Sequence, residues 1–474
     1  MADGLVMFPF SRREFLWQSG GIGGLALAHL LSGESRAASP PSAVVYPPKV
    51  KRIIHLFMNG GASPMDTFDP KPILEKLDGK KFDPGGDAKV ESVTTSPGFK
   101  VMKSPFKFKQ YGQSGRWVSE VFPNVARHVD DLAFLMSMAS KTNVHGPASY
   151  MQNTGFVLPG FPAMGAWISY ALGSLSDNLP AFVVLPDPRG LPYNNQGNFT
   201  SGFLPVKHAG TIIRPHLATP ISDIQAPKWA KEITPENDKA SLALLSRLNH
   251  EHMAENPGDS RLEARIASYE LAAKMQLSAP EVLDVSRETQ VVRNLYGLDD
   301  KATEAFGKNC LIARRMIERG VRFVQVWSGA GGPTKNWDNH ANIPTELPPI
   351  ARSVDKPIAG LLHDLKERGL LSDTLVVWTT EFGRMPFSQG QAGRDHNAGT
   401  FVTWLAGAGI KRGVAYGQSD PWGWKAVTPI YCYDLHATIL YLMGIEHTKL
   451  TFRQNGIDRR LTDVHGHVID EILA

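Results

Sequence analysis

Short continuous apolar runs alternate with longer helix-periodic stretches through much of this chain. Arg52–Met58 (RIIHLFM) is β-branched and apolar and runs into Asn59-Gly60-Gly61, the pattern of a buried strand feeding a tight turn. Residues 131–138 (DLAFLMSM) and 180–185 (PAFVVL) predict two further buried strands. Residues 238–255 and 260–277 are charged, rich in Ala and Leu, and helical in period. The last third alternates regularly: helix over 302–319, strand over 321–327 (VRFVQVW), helix over 356–368, strands over 374–380 (TLVVWTT) and 401–405, and helix over 434–443. Continuous apolar strands separated by helices predict a mostly parallel central sheet with helices on both faces, an α/β class. Residues 237–300 then form a helical insertion in one domain spanning 38–474, with no internal repeat and no low-complexity linker.

Residues 1–37 belong to a different regime. Ser11-Arg12-Arg13-Glu14-Phe15-Leu16 precedes a glycine-rich apolar stretch and a small-residue site at Ser35-Arg36-Ala37-Ala38. That order describes a cleavable export signal, and SRREFL resembles the twin-arginine motif. The apolar stretch is shorter than the roughly 20 residues a membrane span takes. The expectation is a periplasmic or extracellular protein. Gly21 to Ala26 fits a G-x-G-x-x-A dinucleotide pattern, but no strand precedes it, so a nucleotide site is rejected.

Composition narrows the chemistry. The 474 residues carry 50 Lys and Arg against 46 Asp and Glu, dispersed along the chain, which gives no argument for nucleic acid. The two cysteines, Cys310 and Cys432, exclude thiolate-rich metal centres and read as buried thiols, with a single disulfide open to them in an oxidising compartment. His55, inside the first strand, reads as a core histidine. Trp422 and Trp424 read as a packed loop, and Tyr193–Gly197 as a polar turn or pocket border.

In open parallel sheets ligands bind beyond the carboxyl ends of the strands. Three strand ends deliver polar groups there: Asn59, Ser63 and Asp66 after the first, Asp338 and His340 after VRFVQVW, and Glu381, Arg384, Arg394, Asp395 and His396 after TLVVWTT. Carboxylates and imidazoles without cysteine make an N/O donor set for zinc, manganese, iron or calcium. Arg384 and Arg394 are expected either to neutralise the buried carboxylates or to clamp an anionic substrate.

These residues also carry a resemblance. DTFDPKP (66–72), TEFGRMP (380–386), GRDHNAG (393–399) and the closing GIDRRLTDVHGHVIDEILA (456–474) resemble the DUF1501 family, exported bacterial proteins of undetermined function. That family in turn resembles a branch of the alkaline phosphatase and sulfatase superfamily. TLVVWTTEFG is similar to that superfamily's strand followed by Asp-His-Gly, and His396 falls where a later metal-binding His is expected. Residues 434–445 resemble its D-L-x-P-T-L-L…G-I helix, and Asp338 with His340 falls near its Asp-x-x-x-His pair. His145 to Gly155 is similar to the sulfatase nucleophile segment.

The resemblance implies an alkaline phosphatase-like fold and metal-dependent hydrolysis of phosphate or sulfate esters. The implied ligands of a divalent zinc, calcium or manganese ion are Asp66, Asp338, His340, Glu381 and His396. Ser149 or His145 is the implied nucleophile or proton relay, and Arg384 and Arg394 the charge stabilisers. The implied partner is an anionic small molecule or glycan. The chain departs from the pattern at Asn59, which stands for a metal-binding Asp, and at Phe382, which stands for a His. A one-metal or altered site is therefore expected. A non-catalytic binder of an anionic glycan on a degenerate site stands as the alternative.

Overall fold

The computed structural model describes residues 43–83, 85, 99–221, 235–256, 280–332 and 336–474, with single positions 262, 266 and 270. The export segment lies outside the described residues, as does most of 260–277. In chain order the strands are β1 Arg52–Met58, β2 Phe108–Tyr111, β3 Arg116–Ser119, β4 Leu132–Met138, β5 Phe182–Leu185, β6 Thr211–Ile212, β7 Phe323–Ser328, β8 Thr374–Thr379, β9 Gly383–Gln389, β10 Gly393–Asn397, β11 Phe401–Gly407, β12 Val414–Tyr416, β13 Phe452–Gln454 and β14 Ile457–Arg459.

Eight of them form one sheet in the order β12-β4-β11-β8-β1-β7-β5-β6. β1 lies at the centre, parallel to β7 on one side and β8 on the other. β11 alone runs against both its neighbours, β4 and β8. The expected mostly parallel sheet is therefore present, and each apolar run of the sequence falls on one of its strands.

Successive residues of a strand point to opposite faces, and both faces here are buried. Ile54, Leu56 and Met58 join one core with Val324, Val326, Val376 and Trp378, covered by the helices Glu304–Glu318 and Ile343–Glu367. Ile53 and Phe57 join a second core with Phe323, Trp327, Leu375 and Val377, covered by the helices Met164–Leu172 and Cys432–Leu442.

The helix expected over 356–368 instead begins at Ile343, running through Pro348, Pro349 and Pro357. Pro344 sits in the first turn, where its missing N–H costs nothing. The apolar stripe of Leu347, Ile350, Ala351, Val354, Ile358, Leu361 and Leu365 buries against the sheet and outweighs the internal prolines. The chain divides into a large unit, Pro40–Lys231 with Tyr269–Ala474, which holds the sheet, and a smaller one that includes Glu232–Ser268. The described part of the smaller unit is mainly the helix Pro235–Glu255.

Candidate metal centre

The carboxyl ends of β7, β1 and β8 lie side by side, so the segments that follow them meet at one rim. Gly60 turns the chain after β1 at φ +122°, and a Cβ there would stand 2.6 Å from Asp338 N and 2.7 Å from Trp337 N. Only glycine combines that φ with that approach. Trp337 N in turn donates to Asn59 O at 3.0 Å, which pins the loop carrying Asp338 and His340 to the end of β1. After β8, Glu381 leads into the hairpin β9–β10, which carries Arg384, Gln389, Arg394 and His396. At Gly393 a Cβ would overlap His340 O, so hairpin and loop touch backbone to backbone.

His145, at the start of the helix His145–Thr154, completes the group. One ligand atom each from His145, Asp338, His340 and His396 lies within 4.8 Å of the other three. Asp338 Oδ1 is the hub: His340 Nε2 stands at 2.7 Å, His396 Nε2 at 3.1 Å, His145 Nε2 at 3.2 Å and Arg384 Nη2 at 2.7 Å. The His145 contact satisfies ion-pair distance but not hydrogen-bond direction, and that buried nitrogen has no bonded partner. The Nε2 atoms of His340 and His396 face each other at 2.7 Å.

The far nitrogens explain this convergence. His145 Nδ1 donates to Glu381 Oε1 at 2.7 Å, His396 Nδ1 donates to Asn143 O at 2.8 Å, and His340 Nδ1 pairs with Gln389 Oε1. With an acceptor at each Nδ1, that nitrogen carries the proton, and each Nε2 presents a lone pair inward. Three lone pairs and a carboxylate oxygen around one point need positive charge between them. Imidazoles held at the far nitrogen by carboxylate, amide and carbonyl oxygens are the arrangement that orients metal-ligating histidines. The donor set thus fits a divalent cation, and its nitrogen majority suits zinc better than calcium.

Charge and burial tune the site. Burial opposes ionisation of Asp338, yet the close approach of His145, His340 and His396 and the Arg384 charge hold its carboxyl far below the usual range. Burial, aided by the charges of Arg384 and His145, brings His396 down to about 4 against the pull of Asp338. Burial likewise opposes charge on His145, but contacts with Asp338 and Glu381 outweigh it and raise its pKa. Tyr193 stacks on the His145 ring at 4.3 Å and 6°, while Phe382 packs at 4.8 Å from His145 and 4.7 Å from His396. Burial, then the nearby Asp338 charge, raises the Tyr193 phenol to about 12.

The structure therefore brings Asp338, His340 and His396 together as the sequence suggested, and adds His145 as a fourth donor. It distributes the other expected residues differently. Glu381 is fully buried behind His145, accepting also from Gly60 N at 2.8 Å, so it holds the His145 ring and is not one of the converging donors. Asp66 is fully buried and pairs with Arg394, whose Nε lies 2.6 Å from Asp66 Oδ2. Arg394 also donates to Met385 O and Met102 O, leaving no free edge for a substrate. Arg384 donates to Gly60 O, Gly61 O at 2.8 Å and Arg394 O at 3.1 Å as well as to Asp338, so it ties loop, hairpin and cluster together. Ser149, one helical turn past His145, donates to Asn198 Oδ1 at 2.9 Å and is fully buried.

Asn143 and Gln389 carried no signal in the sequence, since a backbone carbonyl and an amide matter only through proximity, whereas Tyr193, in the stretch read as a polar turn or pocket border, stacks on His145. Cys310 and Cys432 are free, buried thiols on separate helices. His55 accepts from Gln325 Nε2 at 3.1 Å within the core, and Trp424 is buried in its loop.

The model of the family described as "Protein of unknown function (DUF1501)" matches residues 50–473. No curated protein matches the sequence. Among solved structures the chain is similar to i-CgsB in complex with k-i-k-neocarrahexaose, with TM-score 0.38, 11% identity, and 84% of this chain and 74% of that chain covered. It is similar to the PsFucS1 sulfatase from Pseudoalteromonas sp., with TM-score 0.34, 14% identity, and 92% and 72% covered. For alkaline phosphatase from the Antarctic bacterium TAB5 the values are 0.33, 9%, 83% and 98%.

Proposed function

The chain belongs to the DUF1501 family, and from that premise we propose that it is an exported, metal-dependent hydrolase of phosphate or sulfate esters. The family carries no assigned activity, so the reading rests on the site. The observation that carries it is the inward convergence of three Nε2 atoms on the Asp338 carboxylate, each imidazole held by an acceptor behind it.

His145, Asp338, His340 and His396 are the residues that would hold one divalent ion. Such an ion supplies Lewis acidity toward a phosphoryl or sulfuryl oxygen. The remaining work falls to the chain. Glu381, Gln389 and the Asn143 carbonyl fix the three rings. Arg384 offsets part of the Asp338 charge, so an anionic ester meets a site with less net repulsion. Tyr193 and Phe382 cover the ring faces of His145 and keep water from that side. Because the Ser149 hydroxyl is committed to Asn198, attack by water is the proposed route. Export rests on the SRREFL motif and the small-residue site at Ser35–Ala38. No helix among the described residues is long and apolar enough to cross a membrane.

One observation favours the non-catalytic alternative. The Arg384 guanidinium, 2.7 Å from Asp338 Oδ1 and 3.4 Å from His340 Nε2, supplies some of the positive charge the cluster needs. Elemental analysis with turnover of 4-nitrophenyl phosphate and 4-nitrophenyl sulfate separates the two. One equivalent of metal and turnover lost in His396→Ala support the hydrolase. A metal-free protein without turnover supports the binder.

A further inference from the structure

Four of the chain's 50 lysines and arginines line one open groove. Between Lys100 and Arg116 the chain carries Lys100, Lys103, Lys107, Lys109 and Arg116 and no acidic residue. This segment includes β2 and runs into β3, and it forms one wall of an open groove of about 1020 Å³. The floor is apolar, made by Phe68, Phe134 and Met136. Four cations line it, Lys71, Lys103, Lys107 and Arg116, against two acids, Asp69 and Glu75. Lys71 is neutralised by Asp69 at 2.9 Å, and Lys103 reaches Asp78 at 3.6 Å, whereas the side chains of Lys107 and Arg116 make no ion pair among the described residues, Glu120 being bonded to the Lys107 backbone N–H at 3.1 Å. At the rim stands Trp117, an indole 46% exposed on a strand whose next two residues are buried.

We propose that this groove binds an anionic oligosaccharide. The inference rests on the ester-hydrolase reading in one respect: it names the kind of molecule that carries the ester. An exposed indole beside an apolar floor offers a flat surface for the C–H face of a sugar ring. Two unpaired cations supply charge for sulfate, phosphate or carboxylate groups along the same chain. The volume matches or exceeds that of most single small-molecule pockets, so several linked rings suit it better than one. Net charge on the lining is modest, which fits a sparsely charged saccharide better than a nucleic acid with a phosphate at every unit.

The groove also has a physical connection to the metal centre. Met65 lines it and immediately precedes Asp66, and Met102, one residue before the wall at Lys103, accepts from Arg394 Nη2 at 3.1 Å. The Asp66–Arg394 pair thus links the edge of the groove to β10, where Arg394 stands two residues from His396.

The test is calorimetry on the full chain with a sulfated hexasaccharide, its unsulfated counterpart and a single-stranded DNA hexamer, each at low and high salt. The expected result is binding of the sulfated form at least about tenfold tighter than the unsulfated one, weakened by salt. Trp117→Ala and the double variant Lys107→Gln/Arg116→Gln should each weaken it by about tenfold or more. Both changes are at exposed or half-exposed positions, and their melting temperatures should stay at the wild-type value. Turnover of a small aryl ester should be unchanged in Trp117→Ala. Equal affinity for the two saccharides, or unaltered binding in both variants, overturns the proposal. Tighter binding of DNA overturns it in favour of a nucleic-acid groove. Saccharide binding retained in a chain without metal or turnover keeps the groove and removes the hydrolase reading. The converse, turnover without saccharide binding, removes the groove alone.

Discussion

His145 Nδ1 stands 2.7 Å from Glu381 Oε1, across 236 positions of the sequence, and this one contact decides what both residues do. It turns the other nitrogen of His145 toward Asp338, and it commits Glu381 to holding a ring. Replacing the carboxylate while keeping its size tests that division of labour. Glu381→Gln should weaken zinc binding by about 10- to 100-fold with the fold retained, because a ring-orienting partner is lost and a ligand is not. Competition titration against a chromophoric chelator measures it. An unchanged affinity would remove Glu381 from the site.

Zinc should stabilise the folded chain and a chelator should reverse the effect. At a free zinc concentration about 100 times the dissociation constant the gain is about 2.7 kcal/mol. Differential scanning calorimetry of wild type and His340→Ala, with and without zinc, reads this directly. A shift of the same size in both proteins would place the ion elsewhere.

The Asp66–Arg394 pair is fully buried, and Ser63 and two backbone carbonyls complete its hydrogen bonds. Asp66→Asn leaves a buried guanidinium without its counter-charge and should cost about 3–5 kcal/mol. Urea unfolding monitored by tryptophan fluorescence gives the number, and a loss below about 1 kcal/mol would contradict the pairing.

Acid should destabilise the core before the carboxylates protonate. Burial lowers His55 from 6.5 to about 3 in the folded chain, and burial lowers His436 to about 4. Both are depressed bases, so their contribution is fully present above pH 6.5 and is lost as pH falls toward 4 and then 3, where the unfolded chain binds the extra protons. Melting temperature plotted against pH should fall steeply through that window. In His436→Asn the slope should be shallower, whatever the starting stability.

Gly60→Ala places a methyl group 2.6 Å from Asp338 N at a backbone φ of +122°. Strain and overlap together should cost about 1–3 kcal/mol and weaken zinc binding, since the loop carrying two of the proposed ligands must move. A calorimetric melt and a zinc titration on the same preparation check both effects.

The apolar runs by themselves determined the sheet. RIIHLFM, VRFVQVW and TLVVWTT can satisfy their backbone and bury both faces only as central strands, and they are the three adjacent strands β7-β1-β8. The strand-end rule then pointed at Asp338, His340 and His396, because chemistry gathers where parallel strands end. Sequence spacing could not sort ligand from support. Asp66, Glu381, Arg384 and Arg394 have the residue types of a site, and whether such a side chain meets an ion, a histidine or a counter-charge depends on atoms hundreds of positions away. The helix from Ile343 was hidden for a related reason, since local proline cost is visible in sequence and the packing that outweighs it is not. What only the tertiary structure decided was therefore the pairing: Glu381 with His145, Asp66 with Arg394, and three imidazoles with one carboxylate. Period and propensity act between neighbours along the chain, whereas hydrogen bonds and ion pairs act through space.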